Sequence, residues 1–105
     1  MLRSVNAQID KVRQEFRDVE VTTQQGYIQI EIKNFPLPEH WGTEKTALRI
    51  TLPPGYPQAM PSGFSVQLSG NWKRYCWRPD HWNPVTDNVW KWIQLLRMFF
   101  RENHP

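Results

Sequence analysis

The sequence predicts an α+β fold: one helix, an antiparallel meander of four strands and a second helix, following one another in a single domain of residues 1–105. Three observations support it. The first and last segments repeat apolar residues every three to four positions, as amphipathic helices do. Four segments between them alternate apolar and polar residues, as strands with one buried face do. A length of 105 residues suits one domain.

The first helix and a hairpin are predicted in the N-terminal third of the chain. The helix has an apolar stripe separated by polar residues, formed by Leu2, Val5, Ile9, Val12 and Phe16. From Val19 the apolar period shortens to two. The alternating residues of the hairpin lie on either side of a turn at Gly26, and they are Val19, Val21, Ile28, Ile30 and Ile32.

The third and fourth strands are predicted on either side of a proline-rich connection. Residues 35–42 contain two prolines and are predicted to be a loop, because proline donates no hydrogen bond to a ladder. Residues 53–61 carry four prolines and a glycine, and they are predicted to form an ordered, non-regular connection. The apolar positions of the two strands are Leu48, Ile50 and Leu52, and then Phe64, Val66 and Leu68.

The last helix follows a segment without periodicity. Residues 70–83 are predicted to be irregular, and the helix is expected to begin after Pro84 with Thr86 or Asp87 as its N-cap. Both helices are expected on one face of the sheet, because each has a stripe that only the apolar side of the sheet can bury. The stripe of the last helix is Val89, Trp92, Ile93, Leu96, Phe99 and Phe100.

Composition excludes several classes of protein. Six Trp, three Tyr and five Phe in so short a chain exclude a disordered tail. No apolar run reaches the roughly 18 residues that a membrane-spanning helix needs. One cysteine forms no internal disulfide, and the polar start is unlike a secretory signal, so a cytoplasmic setting is expected. A net charge of +3 is mild for a nucleic-acid-binding domain.

Cys76 lies in the middle of the irregular segment, and two interpretations of it are open. It is either a small buried hydrophobic residue or a reactive thiol. Lys73, Arg74 and Arg78 surround it, and nearby cations favour the thiolate. The nearest acidic residue is Asp80. A loop of this length in a small domain is usually functional.

Other kinds of site find weaker support. His81 is a candidate base for a Cys–His pair, although such pairs are defined by geometry and not by spacing. One cysteine and three scattered histidines match no metal-ligand spacing, and no cofactor motif is present. Residues 72–78 interleave aromatic and basic side chains, as single-strand-binding surfaces do. We favour the alternative that these aromatic residues pin the segment to the core.

Two groups of motifs follow the predicted order of elements. Residues 52–57 read Leu-Pro-Pro-Gly-Tyr-Pro and are followed by Pro61 and Phe64. After Cys76, residues 82–86 read Trp-Asn-Pro-Val-Thr and lead into the last helix. In these features the chain resembles the ubiquitin-conjugating enzymes, whose UBC fold has the same order of elements. The resemblance covers nearly the whole chain.

Within that superfamily the chain is most similar to a prokaryotic subgroup, family E of the ubiquitin-conjugating-like proteins. Residues 72–76 read Trp-Lys-Arg-Tyr-Cys, and residues 82–87 read Trp-Asn-Pro-Val-Thr-Asp. Both stretches are similar to motifs of that subgroup, whose members occur beside ubiquitin-like proteins and activating enzymes. By this alignment Cys76 falls on the acceptor position.

The resemblance implies acyl transfer. Cys76 would accept a ubiquitin-like protein from an activating enzyme as a thioester and pass it to a target protein, with no nucleic acid, membrane, metal or cofactor involved. Arg74 and Arg78 would favour the thiolate, and His81 would orient a leaving or attacking group. Backbone amides or Asn71 would stabilise the oxyanion.

Two departures from the family keep an alternative open. The His-Pro-Asn motif that supplies an oxyanion-stabilising Asn is absent, and the sequence ends soon after the last helix. The alternative is an inactive UBC-variant module that scaffolds a ubiquitin-like protein or its activating enzyme. Trp90 either faces a partner or packs under the N-terminal helix.

Overall fold

The computed structural model describes residues 2–56, 58–59, 61, 63–68, 70–77 and 88–103, and their side chains from residue 5 onward. Its elements follow the predicted α+β order, with one additional strand. They are α1 (Leu2–Glu15), β1 (Val19–Gln24), β2 (Tyr27–Pro36), a short 3-10 helix (Glu39–Trp41), β3 (Lys45–Leu52), β4 (Phe64–Leu68), β5 (Asn71–Tyr75) and α2 (Val89–Glu102).

The five strands form one antiparallel sheet in which each strand pairs with the next along the chain. One face of the sheet is apolar: Ile30 pairs with Ile50, and Ile32 pairs with Leu48. All four of these side chains are fully buried. The prediction of an antiparallel meander between two helices is therefore confirmed.

The predicted number of strands is wrong, because residues 71–75 are β5 and not part of an irregular segment. Asn71 pairs with Leu68, and Tyr75 pairs with Phe64, across a turn at Gly70. Four of the five side chains of β5 are exposed. A strand with a single partly buried side chain shows no alternation of apolar residues, so periodicity does not reveal it.

Strand β2 also runs further than predicted. Residues 35 and 36, expected to begin a loop, continue the strand and pair with Thr46 and Lys45. A β-bulge between Ile32 and Phe35 precedes them, and Asn34 adopts φ 59° there. The bulge lets Pro36 end the strand, a position at which proline is tolerated.

The turn between β1 and β2 agrees with the prediction. Gln25 and Gly26 both have positive φ, 52° and 83°. Two successive residues of this kind form the tight turns whose twist suits a two-residue hairpin. The hairpin at Gly26 is confirmed.

Helix α2 begins later than predicted, because Asn88 and neither Thr86 nor Asp87 is its N-cap. The Asn88 side chain accepts a hydrogen bond of 2.9 Å from the Lys91 amide. Thr86 and Asp87 themselves lie outside the described residues. Asn, Thr and Asp are all good caps, so residue type alone does not choose among them.

The core lies between the apolar face of the sheet and both helices. The predicted stripe of α1 is buried from Val5 to Phe16, and that of α2 is buried except for half-buried Phe99. Both stripes belong to one cluster with the inward residues of the sheet. Neither helix in the described part of the chain has the length and apolar character needed to cross a membrane.

Candidate active site

Cys76 immediately follows β5, and its side chain is exposed. The residues on both sides of it are held against the core. The Tyr75 ring stacks on Phe64 with centroids 5.4 Å apart, and the Trp77 ring lies 5.2 Å from that of Phe99. The backbone of residues 75–77 is thus anchored on one side, while the thiol at its centre faces solvent.

Gly63 fixes the same segment through the backbone. Its amide donates a hydrogen bond of 3.0 Å to the carbonyl oxygen of Trp77. The carbonyl oxygen of Tyr75 lies where a β-carbon on Gly63 would stand, and Gly63 adopts φ 83°. Only glycine meets both conditions without displacing its neighbours. Sequence reasoning missed this residue, although a glycine directly before a strand was a signal for close backbone approach.

The interpretation of Cys76 as a buried hydrophobic residue is wrong, since the thiol is exposed. Its two aromatic neighbours provide the burial, and alternation of side chains along an extended segment turns the residue between them outward. Anchoring of the segment by its aromatic residues is confirmed for Tyr75 and Trp77. Both pack against the core cluster.

Two of the predicted site residues, Arg74 and Asn71, lie in β5 at different distances from Cys76. Arg74 lies two residues before Cys76 in β5, opposite Ser65, and its side chain is exposed. Asn71 begins the same strand, five residues before the thiol. An extended segment rises about 3.3 Å per residue, so the Cα atoms of Asn71 and Cys76 are about 16 Å apart. The structure therefore does not bring the Asn71 amide to the thiol.

The remaining predicted residues cannot be placed in this site. Arg78 and His81 lie outside the described residues, as does Asn83. Within the described part of the chain, no group of three His, Cys, Asp or Glu side chains is arranged to hold a metal ion.

Trp72 projects from β5 onto the face of the sheet opposite the core. Its side chain is 37% exposed, and the Arg49 guanidinium lies 3.8 Å from its ring centroid. Arg49 also donates a hydrogen bond of 2.7 Å to the Glu31 carboxylate. One face of the indole is therefore covered by a cation that is held in place by an ion pair, which leaves that face unavailable for stacking on a base.

Comparison with known proteins adds no family. Neither a protein-family model, nor a curated protein, nor a solved structure matches this chain. The resemblance to ubiquitin-conjugating enzymes rests on the sequence motifs and on the order of the elements.

Tyr56 connects the proline-rich segment to both helices. Its hydroxyl donates a hydrogen bond to Oε1 of Gln8 on α1, and the same oxygen accepts one of 3.2 Å from the amide of Val89, the first residue of α2. Burial raises the pKa of Tyr56, against the hydrogen bonds at Val89 and Gln8, which lower it. The start of α2 is thus tied to the connection that precedes β4.

Trp90 faces α1. Its side chain is half-buried against the core cluster, and the Lys11 ammonium of α1 lies 5.1 Å from its ring centroid. Of the two predicted positions, packing against the N-terminal helix is the one observed. Trp90 is consequently a weaker candidate for contact with a partner.

Proposed function

We propose that this protein is a ubiquitin-conjugating-like carrier, which accepts a ubiquitin-like protein on Cys76 and transfers it to a target. The observation that carries the proposal is the exposed thiol on an anchored backbone, between the packed rings of Tyr75 and Trp77. An acceptor must be reachable by two large proteins in succession, and a fixed position reduces the entropy lost when the acyl group arrives.

The reaction proceeds in two acyl transfers. The Cys76 thiolate attacks the thioester carbonyl that links the ubiquitin-like protein to the activating enzyme. A carbon–sulfur bond to Cys76 forms, and the thiolate of the activating enzyme leaves. A nucleophile on the target then attacks the new thioester, and Cys76 departs as a thiolate. The thioester conserves acyl reactivity between the two steps.

The surroundings of Cys76 support part of the role assigned to them by the resemblance. Arg74 is the described cation nearest along the chain, and in an extended segment it projects toward the same face as Cys76. It would attract the thiolate and the developing oxyanion. Backbone amides, and not Asn71, would stabilise the oxyanion, because Asn71 lies at the far end of β5 from Cys76.

We also propose that this chain has a UBC-like fold. An N-terminal helix, an antiparallel meander, a proline-rich connection before β4 and a C-terminal helix occur in the order that the UBC fold requires. The fifth strand departs from the four-stranded pattern, and it carries the chain to Cys76 as a hairpin with β4.

A second candidate function is an inactive UBC-variant module that binds the ubiquitin-like protein or its activating enzyme. The separation of Asn71 from Cys76 favours it, because the one described asparagine predicted to replace the missing motif is at the far end of β5. Such a module would bind the same partners and form no covalent bond.

One assay separates the two functions. The protein is incubated with a ubiquitin-like protein, the activating enzyme of that ubiquitin-like protein, and ATP. The carrier forms an adduct that excess thiol removes, that is absent in Cys76→Ala and that becomes thiol-resistant in Cys76→Ser, where an oxyester replaces the thioester. An adduct that persists in Cys76→Ala, or binding without any adduct, would contradict carriage through this thiol.

A further inference from the structure

Strand β1 lies at one edge of the sheet and presents backbone groups away from β2. The carbonyl oxygen of Asp18 bonds to β2, whereas that of Val19 accepts a hydrogen bond of 3.2 Å from Nη1 of Arg13 on α1. Alternate residues of a strand direct their backbone groups to the same side. The N–H and C=O groups of Val21 and Thr23 therefore point away from β2, as those of Val19 do. In the described part of the chain, no strand lies on that side.

Strand β1 has none of the features that usually keep an edge strand from pairing, which are lysine, proline, a bulge or a very short length. Its six residues read Val-Glu-Val-Thr-Thr-Gln, and its register with β2 is unbroken. The charge of Glu20 is engaged by Lys33 of β2 at 2.8 Å. The other edge strand, β5, is shorter and contains Lys73 and Arg74. Of the two edges, β1 is therefore the one suited to a further strand.

The sequence of β1 is complementary to itself when a second copy is placed antiparallel to it. With a two-fold axis at Thr22, Val21 of each copy lies beside Thr23 of the other. Both residues have outward-facing backbone groups, so each such pair exchanges two hydrogen bonds. Glu20 then faces Gln24 of the second copy, an amide that can donate to its carboxylate. No like charges face each other across the two strands.

Arg13 determines which register is available. Its guanidinium holds the outward carbonyl oxygen of Val19, so the backbone is open from residue 20 to residue 24. An axis at Val21 would place Val19 opposite Thr23 of the second copy and would displace Arg13. The axis at Thr22 leaves this hydrogen bond intact.

We propose that two copies of this protein form a symmetric dimer through antiparallel pairing of their β1 strands, which joins two five-stranded sheets into one. The second copy satisfies the outward backbone groups of both chains at once. Pairing over residues 20–24 buries less area than a standard interface, so we expect a dissociation constant of about 10–100 µM. The dimer does not depend on the function of Cys76, because that residue follows the strand at the opposite edge.

The first test is sedimentation equilibrium between about 10 µM and 1 mM protein. Thr22→Lys places two ammonium groups opposite each other at the axis, and we expect it to weaken the dimer roughly fivefold or more. The matched control is Gln29→Lys, which adds the same charge one strand inward, at the residue that pairs with Thr22 in β2. This control is expected to dimerise as the wild type does.

A second test measures the register by cross-linking in a Cys76→Ser background, which removes the native thiol. Thr22→Cys is expected to form a disulfide-linked dimer with oxidised glutathione, because the Cα atoms of this pair would be about 4.5 Å apart. Gln24→Cys is the control at an exposed residue on the same face of the sheet. Its two cysteines would be about 13 Å apart, beyond the reach of a disulfide.

Thr23→Pro tests the backbone hydrogen bonds. It removes one outward donor from each copy and keeps the bonds of β1 to β2, since proline is tolerated where an edge N–H faces solvent. Roughly tenfold weaker dimerisation by a variant with the native circular dichroism spectrum supports the proposal. A wild type that stays monomeric at about 1 mM, a dimer unchanged by Thr22→Lys and Thr23→Pro, or equal cross-linking of Thr22→Cys and Gln24→Cys would overturn it.

Discussion

The carbonyl oxygen of Tyr75 occupies the space that a side chain on Gly63 would need. The same glycine donates its amide to the carbonyl oxygen of Trp77. Two contacts on either side of Cys76 therefore converge on one residue without a side chain. The position of the thiol depends on this close approach of two backbones.

Replacement of this glycine is expected to destabilise the protein more than replacement of a second one with the same backbone conformation. Gly70 adopts φ 81° and has open space where a β-carbon would stand, so Gly70→Ala loses about 1–2 kcal/mol for the left-handed conformation alone. Gly63→Ala is expected to lose that amount of stability and, in addition, the free energy needed to move the Tyr75 carbonyl away from the new β-carbon. Urea denaturation of both variants measures the difference, and equal losses would show that the contact carries no strain.

The thiol of Cys76 is expected to react in the native protein. Its side chain is exposed, so a thiol reagent such as an aromatic disulfide reaches it without unfolding. Labelling in the absence of urea should proceed to one thiol per chain, and labelling in urea defines the fully accessible limit. Reaction that begins only at denaturing urea concentrations would restore the interpretation of a buried cysteine.

Tyr56 is expected to make the stability of the protein depend on pH above about 10, the ordinary pKa of tyrosine. Its pKa is raised in the folded state, mainly because burial disfavours the phenolate. The contribution of the neutral phenol is therefore complete below the pKa of the unfolded chain, and it is lost as pH rises through the higher pKa of the folded state.

Tyr56→Phe isolates this contribution. At neutral pH the variant is expected to be less stable by about 1 kcal/mol, because the hydrogen bond to Gln8 is lost. Above pH 10 the difference in free energy of unfolding between the variant and the wild type should shrink. The wild type loses stability as Tyr56 ionises, whereas phenylalanine does not ionise. Urea midpoints of both proteins between pH 7 and 11 measure it. Tyr27→Phe, at an exposed tyrosine, is the control, and a difference independent of pH would contradict the prediction.

Gln94→Met is expected to stabilise the free protein. Its buried Nε2 has no hydrogen-bond partner in the described part of the chain, and an unpaired buried donor costs about 1–3 kcal/mol that a side chain of similar size without the amide avoids. Gln67→Met, at an exposed position of β4, is the matched control, for which we expect a change within about 0.5 kcal/mol. A loss of stability in Gln94→Met would mean that the amide has a partner in solution.

The strands that the sequence revealed are those with one buried face. In β3 the alternation of buried Leu48, Ile50 and Leu52 with more exposed neighbours is visible in the residue types themselves. Strand β5 lacks this pattern, because four of its five side chains face solvent and β4 supplies its pairing. Pro36 misled the prediction in the opposite direction, since a bulge admits proline at the end of β2.

Only part of the candidate site could likewise be predicted from the sequence. Sequence reasoning identified Cys76 and the aromatic residues that hold its segment, because residue type reveals both. It assigned Asn71 to the same site, since residues close along the chain are easily taken to be close in space. An extended strand places them far apart.

The sequence by itself determined the α+β class, the two amphipathic helices, the hairpin at Gly26 and the cysteine of interest, because each depends on local periodicity or on a single residue type. Tertiary structure alone decided that β5 exists, that the thiol is exposed and that Gly63 supports it. It also decided that Nε2 of Gln94 and Nε of Arg97 are buried without hydrogen-bond partners among the described residues. These features depend on which residues distant along the chain come into contact, and burial and pairing arise only from those contacts.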